Sequence, residues 1–126
     1  MRSDPIELIS FGYLHLDGGA PPAADRVEDV RHRLRDPAAA RSILDLDGFH
    51  PRVQAVVLNT PGARELISNL VQYAQLPAGP SRIAIGCAGG RHRACSLVEI
   101  LTRELQQQGR TVTTTHLHAH LPRVMK

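Results

Sequence analysis

Tryptophan is absent, and Phe and Tyr contribute two residues each, so an interior must be assembled from Leu, Ile, Val and Ala. Cysteine occurs twice, at Cys87 and Cys95, too few for a disulfide framework. Lysine occurs once, as Lys126, which excludes a G-x-x-x-x-G-K-[ST] phosphate loop, because that loop needs an internal lysine. No G-x-G-x-x-G is present either, so a dinucleotide fold has no fingerprint. No apolar run approaches the roughly 20 residues that span a bilayer, and no membrane partner is expected. The opening MRSDPIELIS carries no long apolar stretch after its basic residue. A secretory leader is therefore not expected, and the expectation is a cytoplasmic protein with reduced thiols.

What is present fits one globular domain spanning residues 1–126, with 42% hydrophobic and 21% charged residues. Fifteen basic against twelve acidic residues leave a net charge of +3. All the basic residues but Lys126 are Arg, the side chain that forks onto phosphate and carboxylate. A GC-rich genome explains that bias without any functional cause.

Hydrophobic periodicity and turn residues predict the order of elements. Residues 6–14 read as a first strand and 26–31 as a short second one. His50–Leu58 reads as a short helix. A clearer helix follows, with Thr60 as N-cap, Pro61 at the first position and apolar residues at Ala63, Leu66, Ile67, Leu70 and Ala74. Residues 82–86 form an apolar strand. Ala94, Leu97, Val98, Leu101 and Leu105 make a helical stripe that ends at Gly109, and residues 110–117 read as the last strand. The fold class expected is α/β: a small mixed sheet of about four strands flanked by helices, ending in a βαβ unit.

The chemistry concentrates in Gly86-Cys87-Ala88-Gly89-Gly90-Arg91-His92-Arg93, between an apolar strand and an amphipathic helix. Glycines let backbone approach a ligand, a helix start offers unpaired N–H groups, and Arg91, His92 and Arg93 add side-chain donors. Together they read as an anion site suited to phosphate, with Cys87, Ala88, Gly89, Gly90, Arg91, His92 and Arg93 as ligand contacts. Cys87 and Arg93 also satisfy C-x5-R, the loop in which cysteine phosphatases place a thiolate nucleophile and an arginine. In that alternative Cys87 and Arg93 are catalytic, and Asp36, Asp45 and Asp47 are the candidate acids. Gly86 and Ala94 stand where those enzymes usually carry His and a hydroxyl residue.

Two alternating series stand apart from the loop. His116, His118 and His120 would share one face of a strand, a spacing that can hold a metal ion. Without a Cys or carboxylate partner nearby a polar strand end is favoured, and no metal or other cofactor is expected. Arg31, Arg33 and Arg35 read as a solvated basic edge or a phosphate-tracking strip.

The loop GCAGGRHRA, preceded by RIAIG, resembles the C-terminal domain of the RapZ family of bacterial RNase adaptors, once regarded as P-loop ATPases, whose loop reads G-C-T-G-G-x-H-R-S. Ser10-Phe11-Gly12, Asp29-Val30-Arg31, the Gly109–Val112 turn and His116 follow in the family's order, so the resemblance covers roughly residues 6–118. It implies a compact α/β domain related to a sugar-phosphate kinase subdomain, binding glucosamine-6-phosphate and structured regulatory RNA and forming multimers. A phosphorylated small molecule, structured RNA and a second copy are thus the expected partners. The resemblance maps Ser10, His15, Asp29, Arg31 and His116 onto the pocket beside the loop. Arg110 falls at a position tied to RNA contact, with Arg33 and Arg35 as further RNA candidates. These 126 residues hold no counterpart of the family's Walker A half, so ATP binding assigned to that half is not expected of them. Leu14 stands in place of a Lys, RLRDP in place of N-P-H, and Ala88 and Ala94 in place of hydroxyl residues.

Overall fold

A computed structural model describes residues 4–34 and 43–122. Strand β1 (Ile6–Gly12) runs into a 3-10 turn (Tyr13–His15), and β2 (Arg26–Asp29) follows. Helices α1 (Pro51–Leu58) and α2 (Ala63–Ala74) lead to β3 (Arg82–Cys87), α3 (Arg93–Gln107) and β4 (Val112–His116). The single α/β domain with a four-stranded sheet and a closing β3–α3–β4 unit is as expected. Its order is β2-β3-β1-β4, and every pairing is parallel where the sequence suggests a mixed sheet. The reason is connectivity: each link between strands is long enough to carry the chain back to the same end of the sheet.

Strand alternation separates two faces. Ile6, Leu8, Ile83, Ile85 and Cys87 pack with Leu70, Leu97, Leu101 and Leu105 of α2 and α3. Ile9, Phe11 and Ala84 face the other way and are covered by Tyr13, Leu16 and Ala24 of the β1–β2 connection. The main core is thus aliphatic, as the composition demands, and Phe11 is the largest of the fully buried side chains.

Local chemistry sets the boundaries. His50 caps α1, its Nδ1 accepting from Arg52 N–H at 3.1 Å, and Pro51 takes the first position, where no N–H is needed. Thr60 does not cap α2, as the sequence suggests; its hydroxyl donates back to Val57 O at 2.6 Å, and Gly62 precedes the helix in a left-handed conformation. At the end of α3, Gly109 has φ +84°, Gly109 N–H donates to Gln106 O and Arg110 N–H to Leu105 O. This is the Schellman arrangement that the glycine signals. The first strand stops at Gly12 and the last at His116, so His118 and His120 lie beyond the strand rather than on its face.

Candidate functional site at the carboxyl end of the sheet

In a parallel sheet all strands deliver their last residues to one end, where open α/β folds bind ligands. Here that end gathers Gly12 from β1, Asp29 from β2, Cys87 from β3 and His116 from β4. Backbone packs on backbone there: a Cβ on Gly12 would lie 2.3 Å from the Gly89 carbonyl carbon and 2.7 Å from Gly90 N. Gly90 has φ +77°, and its own Cβ would meet Gly12 N at 2.6 Å. Gly89 faces open space. These contacts explain Gly90 and add Gly12, which the sequence offers only as part of the Ser10-Phe11-Gly12 motif.

The loop departs from a fully open anion nest. Cys87 Sγ, only 2% exposed as a residue, accepts from Gly90 N–H at 3.1 Å and Ala94 N–H at 3.4 Å. The thiol thus takes the role of a cap at the start of α3, where His92 supplies no side-chain cap. Gly89 N–H and Arg91 N–H make no such bond among the described residues. Arg93 does not fork over the loop. Its Nη1 donates to Val30 O at 3.1 Å, Arg31 O at 2.9 Å and Leu34 O at 3.2 Å, tying down the segment after β2. Arg91 is also turned onto the chain, donating to Asp45 O, Leu46 O and Leu121 O. His92 is buried. Of the seven expected contacts, the two arginines are therefore structural braces. The physical reason is that three carbonyls leaving an irregular connection need donors, and a nearby guanidinium supplies them.

The same placement bears on the C-x5-R alternative. The Arg93 guanidinium donates to carbonyls after β2 and the Cys87 sulfur accepts from two amides, so both groups that the alternative needs are engaged by the chain itself. Asp47 caps a turn through Phe49 N–H, Asp45 offers its carbonyl to Arg91, and Asp36 lies outside the described residues. Cys95 is buried, which pushes its thiol far above the usual cysteine range and keeps it protonated.

The pocket candidates do converge on this end. Ser10, fully buried, shares a 2.5 Å hydrogen bond with His116 Nδ1, and His116 Nε2 lies 2.9 Å from Glu99 Oε2 on α3. His116 also takes the edge of Phe49 at 4.8 Å. Both its nitrogens are thus engaged, and Glu99 is a partner the sequence did not reveal. The only available signal was strand alternation, which turns residue 116 toward the helix face, where Glu99 happens to lie. His118 Nδ1 accepts from Gly12 N–H at 2.8 Å, and its ring stacks on His15 at 4.9 Å. Burial, then His15 and His120, push the His118 imidazole below the usual histidine range. His15 Nε2 is buried with no hydrogen-bond partner among the described residues. At the end of β2, Asp29 pairs with Arg31 at 2.7 Å, and the guanidinium lies 3.7 Å from the Tyr13 ring centroid. Arg31 holds the Asp29 carboxyl below the usual carboxylate range. Burial, followed by Asp29, raises the Tyr13 phenol.

The alternating histidines are not brought together on one strand face. Among the described residues no three His, Cys, Asp or Glu side chains gather as a candidate metal site. The RNA candidates separate as well. Arg110 lies at the opposite end of the sheet, 2% exposed, donating to Asp4 O, Ala74 O and Gln75 Oε1. Arg33 is held by Glu28 and Asp29 O, and Arg35 lies outside the described residues. No described helix is long and apolar enough to cross a membrane.

Comparison with known proteins gives a consistent answer. The family model of the RapZ C-terminal domain matches residues 5–120. A protein of Lawsonia intracellularis named a nucleotide-binding protein is 32% identical over 96% of this chain and 39% of its own length. A nucleotide-binding protein of Geobacter metallireducens is 38% identical over 91% of this chain and 42% of its own. One from Limosilactobacillus reuteri is 36% identical over 88% and 40%. The chain spans about two-fifths of the length of these curated relatives.

Proposed function

The chain belongs to the RapZ C-terminal domain family, and from that premise we propose that it binds, without chemical turnover, a phosphorylated small molecule of the amino-sugar phosphate class at the carboxyl end of its sheet. The observation that carries this reading is the convergence of available donors on one glycine-walled spot. Gly89 opens outward beside Gly12, the Gly89 and Arg91 amides have no partner among the described residues, and His15 and His118 stack alongside. Backbone N–H groups and imidazole N–H groups are ligands for phosphoryl oxygens and for little else at such density. Asp29 at the end of β2, Arg31 just beyond it and Tyr13 just after β1 cluster at the same end of the sheet, where a polar sugar ring would meet them.

Ser10 and Cys87, two nucleophilic side chains at this end, are both buried and both occupied, which supports binding over catalysis. The relatives' name of nucleotide-binding protein concerns chains more than twice as long. This chain has no Walker A lysine, so a sugar phosphate is favoured over a nucleotide here. An RNA-binding role is a weaker companion, because Arg110 and Arg33 are committed to the fold. Calorimetric titration with glucosamine-6-phosphate, glucosamine and inorganic phosphate tests the reading. The expected order is tightest for the phosphorylated sugar, weaker for phosphate and absent for the bare sugar. Equal binding of glucosamine with and without its phosphate would overturn it.

A further inference from the structure

The His15–His118 pair has a feature that a passive anion cradle does not need. Gly12 N–H occupies His118 Nδ1, which fixes the neutral tautomer and leaves the ring's proton on Nε2. Adding a second proton to that ring would have to displace Gly12 N–H from the very place where Gly12 packs on Gly89 and Gly90. His15 lies nearly parallel against it, ring centroids 4.9 Å apart and planes 26° from one another, with Nε2 buried and unpartnered among the described residues. Two imidazoles stacked this closely do not both carry charge, since like charges at that distance repel strongly. The pair therefore has room for one proton, and His15 is the ring that can take it without breaking a bond.

Resting on the binding reading, we propose that capture of a doubly charged oxyanion at this site is coupled to uptake of one proton by the His15–His118 pair, making affinity fall as pH rises. The anion supplies the countercharge that the empty site lacks, and a protonated His15 adds an N–H where its Nε2 now has no partner. Surrounding groups favour this direction. His120 follows in the same turn, and Arg91 holds that turn through Leu121 O, so both add positive character. Arg31 over Tyr13 adds a further positive charge nearby, offset by Asp29. Glu99 is engaged by His116, two residues upstream of His118. These neighbours, with burial, disfavour charge on the His118 imidazole.

Sulfate is the appropriate probe, because it stays a dianion across the range and every proton counted then belongs to the protein. Sulfate affinity of the full chain is measured from pH 5.5 to 8, with calorimetry in buffers of different ionisation enthalpy to count protons. The expected result is about one proton taken up per sulfate and about a tenfold loss of affinity per pH unit on the alkaline limb. His15→Phe keeps a stacked ring but cannot titrate, and is expected to bind with no proton uptake and a flat pH profile. His118→Asn keeps an acceptor for Gly12 N–H, and its retention of proton uptake would confirm His15 as the receiving ring. Sulfate affinity that is equal at pH 5.5 and 8 in the wild-type chain overturns the coupling alone, as does proton uptake that persists in His15→Phe. No binding of sulfate or of a sugar phosphate at any pH overturns the binding reading together with it.

Discussion

The two ends of the sheet carry a buried arginine each, yet they differ in what surrounds it. At the amino end, Arg110 is enclosed by Asp4 O, Ala74 O and Gln75, and Asp25 accepts from Ser81 and Arg82 N–H at 2.9 and 3.0 Å. That end is closed by its own groups. At the carboxyl end, Arg93 is equally committed, to three carbonyls after β2, but the loop that precedes it is glycine-rich and the side chains stacked at that end are imidazoles. An arginine next to a glycine loop is therefore poor evidence for a ligand contact. What distinguishes a site from a brace is whether the polar groups are already paired.

The comparison breaks most visibly at glycine. Gly12→Ala drives a Cβ into the Gly89 carbonyl carbon at 2.3 Å and should cost more than about 3 kcal/mol while abolishing ligand-induced stabilisation. Gly109→Ala at the other end meets nothing within 4 Å and loses only through its φ of +84°, about 1 kcal/mol. Chemical denaturation of both variants checks the gap, and equal losses would remove the claim of a special backbone contact at Gly12. Next in size, Arg93→Met and Arg110→Met should each lose about 3 kcal/mol, because buried carbonyls are left without donors. Thermal unfolding measures this. An Arg93→Met protein that keeps wild-type stability but loses sugar-phosphate binding would restore Arg93 as a direct ligand contact.

The smallest effects concern pH, and the ends respond over different windows. Asp25 is held below the usual carboxylate range by the Arg82 and Ser81 backbone N–H groups. Its contribution is present above the unfolded carboxylate value, roughly 4, and is lost as pH falls through the lower folded value. His118 is also depressed, by burial first, so the unfolded chain binds the proton more readily. Its contribution is complete above roughly pH 6.5 and declines as pH falls toward the folded value. Stability of the ligand-free protein should therefore decline slightly on acidification from neutrality, and His118→Asn should flatten that part of the curve. Asp25→Asn should flatten only the portion below roughly pH 4. A decline near pH 6 that is unchanged in His118→Asn would assign it to another group.

Much of this was legible in the sequence because the signals were local. The stripe from Ala94 to Leu105 and Gly109 marked α3 and its Schellman end, and His50-Pro51 marked the start of α1. Thr60 misled because a hydroxyl before Pro61 fits the end of one helix as well as the start of the next. The loop motif pointed to the carboxyl end of the sheet, but not to the hydrogen bonds its arginines make there. Whether Arg93 points at a ligand or at Val30, Arg31 and Leu34 depends on a segment about 60 residues away in the chain. Glu99 meeting His116, and Gly12 meeting Gly89, are likewise long-range facts without a local signature.

The account is tested most directly by the backbone amide spectrum of the full chain during titration with glucosamine-6-phosphate. Saturable shifts confined to Gly12, Gly89, Arg91 and His118, with Arg110 and its neighbours unmoved, are the predicted result. Shifts centred on the amino end, or none at saturating ligand, would contradict it.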